Sequence, residues 1–363
     1  MKTVLVDLLF YTGTRGGMES YVRQVYSRTS AVMDEVTFVG LASKELAAIG
    51  APWFPGRLID SGISSGNATR WALGEIFVTA RVASRVKASL IHSPANIGPI
   101  FSRVPVILTI QDILSYRHPE YFSAVSGAIL RWLIRAAAKN ARRVLTISSG
   151  SATDISAYLK ISPANVTIIP LAGSSSKDPA PAITDSRAAY PPMILSGGNR
   201  LPHKNFENLV RALAIIPRDR RPRLVITGGS TPDPLQLLVE ALDLGEWVDL
   251  RGWIPADELA DLYAEATVYV FPTQFEGFGL PVIEAMARGC PVICSDIPVL
   301  RDVAGDAAIF VDTLDPTALS AEIMALLTDP KRLSETRTKG ISQAKKFSWE
   351  QTAQKTMQVF LET

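Results

Sequence analysis

Glu276 and Glu284 stand eight residues apart in the stretch FEGFGLPVIEAM. Carboxylates repel phosphate but accept hydrogen bonds from hydroxyls, as a sugar ring or a ribose would offer. TVYVF (267–271) ahead of the pair has a strand pattern, and PVIEAMAR (281–288) has a helix pattern. Pro281 is expected at the first helical position and Gly289 at the stop. That places Glu276 in a loop after a strand and Glu284 in the first turn of a helix. Glycines before a helix start let backbone N–H groups approach an anion, which the helix dipole favours. A helix-capping acid plus a solvated glutamate accounts for the same pattern.

Three other stretches carry chemistry. Gly13, Gly16 and Gly17, in GTRGGME, follow the first strand pattern and open a helix, which is a phosphate-cradle position or simply a tight turn. Their spacing is neither G-x-G-x-x-G nor a P-loop. In GGNRLPHKNFENL (197–209), Asn199, Arg200 and Lys204 lie between a strand and a helix. Cations there would neutralise a diphosphate, or they are solvated surface charges. TIQDILSYRHPEYF (109–122) is read as a loop after a strand, offering Gln111, Asp112, Arg117 and His118. A lone loop histidine is more often a packing or surface residue than a catalyst, and His92 is equally ambiguous. With only three histidines, none paired at metal spacing, no metal site is expected.

These stretches need a scaffold that puts them after strands. Apolar strand patterns at 3–9, 36–42, 88–94, 105–112 and 143–149 alternate with helical ones at 18–29 and 125–141. The segment 174–192, rich in Ser, Pro and Asp, reads as a linker. A second series follows at 193–198, 223–229, 247–253, 267–273, 291–296 and 307–312, with helices expected at 318–328 and 349–362. Continuous apolar strands alternating with helices imply parallel sheets covered on both faces. The expected fold class is α/β, with two doubly wound Rossmann-like domains. Ligands of such sheets bind at the carboxyl ends of the strands.

The totals agree. A chain of 363 residues is long for one core, and 47% hydrophobic with 20% charged residues is a globular balance. No apolar run approaches the ~18–20 residues of a membrane span. MKTVLVDLL is read as a first buried strand, not a signal peptide, because Asp7 interrupts it and no A-x-A site follows. Cys290 and Cys294 straddle a strand pattern and are expected as buried structural thiols, fitting a cytoplasmic location. Residues 1–170 hold 18 Lys and Arg against 10 Asp and Glu; the rest hold 19 against 25. The basic half contains Arg131, Arg135, Lys139 and Arg142 about a helical turn apart, with Trp132 among them. The stripe is either a solvated helix face or a contact for the anionic inner face of a membrane. No aromatic platform or known module points to nucleic acid.

Taken together, these residues resemble glycosyltransferase family 4. The resemblance is strongest over 193–312, above all in LADLYAEATVYVFPTQFEGFGLPVIEAMARGCPVICSDIPVLRDVAGDAAIFVD, whose E-x7-E pair is the family's defining motif. GGMESYV, VLTISSGSATDISAYL, KNFENLVRAL and FSWEQTA echo it more weakly. The resemblance implies a GT-B fold: a first domain over 1–173, completed by the final helix 348–363, the linker 174–192, and a nucleotide-sugar domain over 193–347, facing each other across a cleft. It implies that Glu276 binds donor-sugar hydroxyls and Glu284 the ribose. Backbone amides of Phe278, Gly279 and Leu280 would cradle sugar and diphosphate, with Lys204 on the phosphates and Gly16 and Gly17 from the first domain. Ile254 matches the position beside the base. Many members carry Arg five or six residues before the phosphate lysine; here those positions are Gly198 and Asn199, and Arg200 comes one step later. Many have His-Asp where this chain has Gln111-Asp112; Gln hydrogen-bonds but does not titrate.

The expected function is a retaining, metal-independent transfer of a hexose, first mannose from GDP-mannose, to a glycan or polyprenyl-linked glycan in surface polysaccharide assembly, with no cofactor. A sugar-nucleotide epimerase of the same fold and an inactive nucleotide-sugar-binding subunit of a transferase complex are the alternatives.

Overall fold

A computed structural model describes residues 1–13, 16–32, 34–173 and 192–363. The linker expected at 174–192 therefore falls, apart from Pro192, outside the described residues. The chain divides into two compact units, Met1–Leu171 with Trp349–Thr363, and Ala172–Ser348.

Unit 1 is built on seven strands: β1 (Lys2–Leu8), β2 (Val36–Ala42), β3 (Arg57–Asp60), β4 (Leu90–Ser93), β5 (Val106–Thr109), β6 (Arg143–Thr146) and β7 (Val166–Ile168). They pair in the order β3-β2-β1-β4-β5-β6-β7, every pair parallel. β4 and β5 are buried along their whole length, as strands covered by helices on both faces must be. The order reverses between β1 and β4, so the carboxyl ends of those strands form the topological switch point. The last helix, Trp349–Glu362, packs back onto this unit. Lys2 Nζ donates to the carbonyls of Phe360 (3.3 Å) and Leu361 (2.6 Å) at its C-terminus, where unsatisfied carbonyls and the dipole favour a cation. Thr352 Oγ1 donates to the Pro170 carbonyl (2.7 Å).

Unit 2 has six strands, β8 (Met193–Gly197), β9 (Arg223–Thr227), β10 (Val248–Leu250), β11 (Val268–Phe271), β12 (Val292–Ser295) and β13 (Ile309–Val311), in the all-parallel order β10-β9-β8-β11-β12-β13. Its switch point lies between β8 and β11, which pair through Val268↔Ile194 and Tyr269↔Leu195. The core joins Ile194, Leu224, Ile226, Val268 and Val270 of the sheet to Leu209, Val210 and Leu213 of helix Phe206–Ile215 and to Leu319 and Ile323 of helix Pro316–Leu327.

His92 belongs to the fold. It is fully buried, and burial pushes its pKa down to about 3. Its Nδ1 shares a hydrogen bond with the Tyr26 hydroxyl (2.6 Å) and its Nε2 with Thr109 Oγ1 (2.9 Å). The ring also lies 5.0 Å from that of Phe360, tying the last helix to β4. His118 stacks on Tyr121 and shares a hydrogen bond with Glu120 (2.9 Å). Its segment is a short helix, Leu114–Arg117, followed by a turn of 3-10 helix rather than an open loop. Both cysteines are buried, and burial raises the Cys294 thiol far above its ordinary range.

Candidate active site

In unit 2 the two chemistry-bearing loops leave neighbouring strands at the switch point. After β8 the chain passes Asn199 and Arg200, makes a 3-10 turn at Pro202–Lys204 and reverses through Asn205, at φ +57°. After β11 it passes Pro272, Thr273 and Gln274 to Glu276. The loops are tied together: Gln274 N donates to the His203 carbonyl (2.7 Å), Thr273 Oγ1 to the same carbonyl (3.3 Å), and Asn205 Nδ2 to the Pro272 carbonyl (3.2 Å). The outcome is an ion pair between Lys204 Nζ and Glu276, each side chain 14% exposed. The ammonium also sits 5.3 Å from the centre of the Phe271 ring. Neither charge is left alone in a half-buried site, where an unpaired ion would be costly.

Helix Leu280–Ala287 follows immediately. Gly279 caps it at φ +92°, and a Cβ there would meet Leu300 at 2.5 Å, so only glycine fits. Leu280, not Pro281, opens the helix, which moves Glu284 from the first turn to the start of the second. Gly289 ends it in the left-handed region as expected. Phe278 is buried against Phe347 (5.6 Å, edge-on), leaving its backbone beside the helix start. Glu284 is half-buried near Tyr263 and Tyr269. Burial first, and then the neighbouring charge of Glu284, holds the Tyr269 hydroxyl well above its usual pKa. Ile254 is half-buried beyond β10, and Asn199 is exposed.

Arg200, expected near phosphate, meets partners within unit 2. Its guanidinium is held inside the protein: Nε donates to Asp233 (2.9 Å to Oδ2), Nη2 ion-pairs with the same carboxylate (2.8 Å), Nη1 donates to the carbonyls of Gly198 and Thr227, and Nη2 donates to that of Ile226. The fork serves a largely buried carboxylate and three strand-end carbonyls, which commits most of its donors within unit 2. Among the described residues no group of three or more His, Cys, Asp or Glu is placed to hold a metal ion.

In unit 1, Gly16 and Gly17 are the first two residues of helix Gly16–Tyr26, not part of the loop before it. Glu19, whose role the sequence does not announce, turns back from this helix. Its carboxylate accepts from Thr12 N (2.6 Å), Thr12 Oγ1 (2.7 Å) and Gly13 N (3.0 Å). Gln111 follows β5. Its backbone N–H donates to Asn96 Oδ1 (2.8 Å) and its carbonyl accepts from Ser151 Oγ (2.9 Å). Its side chain is buried, and Nε2 has no hydrogen-bond partner in the protein. A buried amide donor left unmet is destabilising unless a ligand or water completes it. On helix Ala124–Asn140, Val125, Ile129 and Trp132 are 72%, 54% and 59% exposed. Arg135 and Lys139 are exposed beside them, Arg131 donates to the Ser115 carbonyl (3.2 Å), and Arg142 lies just past the helix end. No described helix is long and apolar enough to cross a membrane.

Two parallel α/β units of seven and six strands are the architecture of the GT-B glycosyltransferases. Residues 185–347 match the family model for glycosyl transferases group 1, and residues 15–172 match that for Glycosyltransferase Family 4. O-antigen chain mannosyltransferase B of Escherichia coli is 32% identical over 264 residues, 70% of this chain and 69% of that protein. The chain belongs to the family 4 glycosyltransferases. Sucrose-phosphate synthase from Thermosynechococcus elongatus superimposes with a TM-score of 0.80 at 22% identity, covering 100% of this chain and 99% of that one. HepE of Anabaena, solved in complex with UDP and glucose, superimposes with a TM-score of 0.76 at 17% identity over 100% of both chains.

Proposed function

We propose that this chain transfers a hexose, mannose from GDP-mannose being the first choice, from a nucleoside-diphosphate sugar to a glycan or polyprenyl-linked glycan in surface polysaccharide biosynthesis. The donor class is supported by UDP and glucose in HepE, and the sugar by the mannosyltransferase of Escherichia coli. The observation that carries the reading is the Lys204–Glu276 pair on adjacent loops of the unit 2 switch point. An arriving diphosphate competes for the ammonium. Glu276, released from it, then accepts hydrogen bonds from sugar hydroxyls. The backbone at Phe278, Gly279 and Leu280 lies at a helix start, where N–H groups and the dipole favour a diphosphate. Glu284 accepts from the ribose, and Ile254 and Asn199 flank the base and phosphates. In unit 1, Gly16 and Gly17 present side-chain-free backbone to an anion, and the unmet Gln111 amide donates to a substrate oxygen. Transfer proceeds with retention and without metal or cofactor: Lys204 and the helix start stabilise the leaving diphosphate, which itself takes the acceptor proton. Helix Ala124–Asn140 brings the enzyme to an anionic membrane surface through its exposed apolar stripe and Arg131, Arg135, Lys139 and Arg142.

The test is thermal stabilisation by GDP, UDP, ADP and dTDP, followed by transfer assays with the sugar nucleotide of the best base. Bound ligand raises stability in proportion to occupancy. K204A and E276A should each lower turnover about a hundredfold or more, in the range set by loss of one charge-stabilising group. No stabilisation by any nucleotide, or unchanged turnover in E276A, removes the reading. Conversion of the donor without an acceptor would instead identify an epimerase.

A further inference from the structure

Unit 1 contains a depression of whose lining only Gly16 and Gly17 have been given a role above. Phe10, Gly16, Gly17, Met18, Glu19 and Trp71 line it. Its walls are mainly ring and aliphatic surface. Its one side-chain carboxylate, Glu19, is occupied by Thr12 and Gly13. A side chain added at Gly17 would project into open space, so the absence of one leaves room along that wall.

The aromatic wall is held from behind by an unusual device. Trp71 lies on helix Ala68–Leu73, which continues into a π-helical turn, Gly74–Val78. Such turns recur at functional sites because they re-aim side chains at a cost in helix regularity. Here the turn sends Glu75 inward. Its carboxyl is almost fully buried; Oε1 accepts the indole N–H of Trp71 (2.8 Å), while Oε2 has no partner in the protein. Facing it is a second buried acid, Asp7 of β1. Asp7 accepts from Leu9 N (3.1 Å), in the segment that leads into Phe10, and from Thr79 Oγ1 (2.8 Å). Two buried acids thus brace the two aromatic walls, one by the indole and one by the chain entering Phe10. A fold seeking only stability gains nothing from a buried acid pair with an unmet oxygen.

We propose that this depression receives a pyranose ring of the carbohydrate acceptor, with Trp71 as its stacking face and Glu75 as the positioning residue that fixes the indole. The apolar C–H face of a pyranose matches an aromatic face in a mainly apolar depression, and a ring held at its N–H loses little freedom on binding. The inference rests on the glycosyl-transfer reading, which requires a second, carbohydrate substrate, while the residues assigned to the nucleotide sugar lie in unit 2 with the exceptions of Gly16, Gly17 and Gln111.

The experiment has a binding arm and a turnover arm. Saturation-transfer NMR with p-nitrophenyl α-D-mannopyranoside, methyl α-D-mannopyranoside and N-acetylglucosamine should show ring-proton contacts in the wild type that W71A abolishes. In transfer assays with the best of these acceptors, W71A should raise the acceptor KM by about tenfold or more, the loss expected for one stacking contact of about 1.4 kcal/mol. The donor KM should stay within about twofold. E75A should raise the acceptor KM as W71F does, and E75Q, which keeps an oxygen for the indole N–H, should restore it. That rescue separates positioning from mere structure. If W71A fails to fold, W71F and E75Q carry the test. Absence of pyranoside contacts in the wild type, an unchanged acceptor KM in folded W71A or W71F, or a parallel rise in donor KM overturns the proposal. Absence of wild-type turnover with normal pyranoside contacts sinks the transfer reading alone.

Discussion

Replacing Asp7 by Asn should make unit 1 more stable at neutral pH and slightly less stable in acid. Asp7 is fully buried, and burial raises its pKa from 3.8 to about 6, against the lowering effect of its bonds from Thr79 and Leu9. Its folded pKa therefore lies above its unfolded one. The folded state holds the proton more tightly, so the contribution to stability is complete below about pH 4 and is lost as pH rises through about 6. A shift of about two pH units at about 1.4 kcal/mol each puts the loss at about 3 kcal/mol by pH 8. The nearby Glu75 carboxyl is likewise pushed well above the ordinary carboxylate range, by burial first and by Asp7 second. In D7N the amide oxygen can still accept from Leu9 and the amide nitrogen can donate to Thr79. One amide proton is left over, at a cost of about 1 kcal/mol. D7N should accordingly be about 1 kcal/mol less stable than the wild type at pH 4 and about 2 kcal/mol more stable at pH 8. For a unit of this size that is a gain in Tm of roughly 4–8 °C. Scanning calorimetry of both proteins from pH 4 to 8 measures the difference, in which titrations of groups uncoupled from Asp7 cancel. A difference that does not change with pH, or that falls as pH rises, would refute the burial argument.

Two further outcomes follow from the same kind of accounting. R200K should destabilise unit 2 by about 2–4 kcal/mol in urea melts, because a lysine meets at most three of the five acceptor contacts and leaves buried partners unmet. Its nucleotide Kd by calorimetry should stay within about threefold in the range where the variant is folded, and a selective loss of nucleotide affinity would return Arg200 to the ligand. The full chain should co-sediment with vesicles containing phosphatidylglycerol. Replacing Val125, Ile129 and Trp132 together by Ser should weaken that binding about a hundredfold or more through lost apolar burial, R135Q/K139Q should weaken it only at low salt, and a wild type that ignores such vesicles removes the membrane contact.

Every interior strand was legible in the sequence because a strand buried on both faces is a continuous apolar run. The edge strands of unit 2, β10 and β13, were read as well, but those of unit 1 were not. β3 is RLID and β7 is VTI, short segments whose side chains are only half covered, so neither shows a run or an alternation. The π-helical turn at Gly74–Val78 was equally silent, since WALGEIFV carries no marker of an extra residue in a helix. Positions of chemistry were easier to read than partnerships. Glycines, a proline and a strand pattern were enough to place Glu276 in a loop and Glu284 on the helix. Which group meets which depends on contacts set by the folded chain: Arg200 with Asp233, Asp7 with Thr79, Trp71 with a glutamate one turn further on. A spacing rule carries no signal for the first two. The third has ordinary helical spacing, and only burial distinguishes it from a surface contact.

Arg200 and Lys204 differ in how readily each could exchange its partners for a ligand. Both follow β8, four residues apart, and both were expected to face phosphate. A guanidinium is a planar fork, and once a carboxylate and three carbonyls lie in its plane, exchanging them for a ligand would strand several buried acceptors at once. An ammonium is a point charge on a flexible stem. Its pairing with Glu276 is one contact at a partly open site, and a diphosphate can replace that carboxylate without leaving the lysine unpaired. Glu276 is then not stranded either, because sugar hydroxyls are donors and a carboxylate is an acceptor. The exchange conserves paired charges and hydrogen bonds on both sides. On the proposed function, such an exchange lets the site be stable when empty and still yield to its substrate, and the arginine four residues earlier is less suited to it.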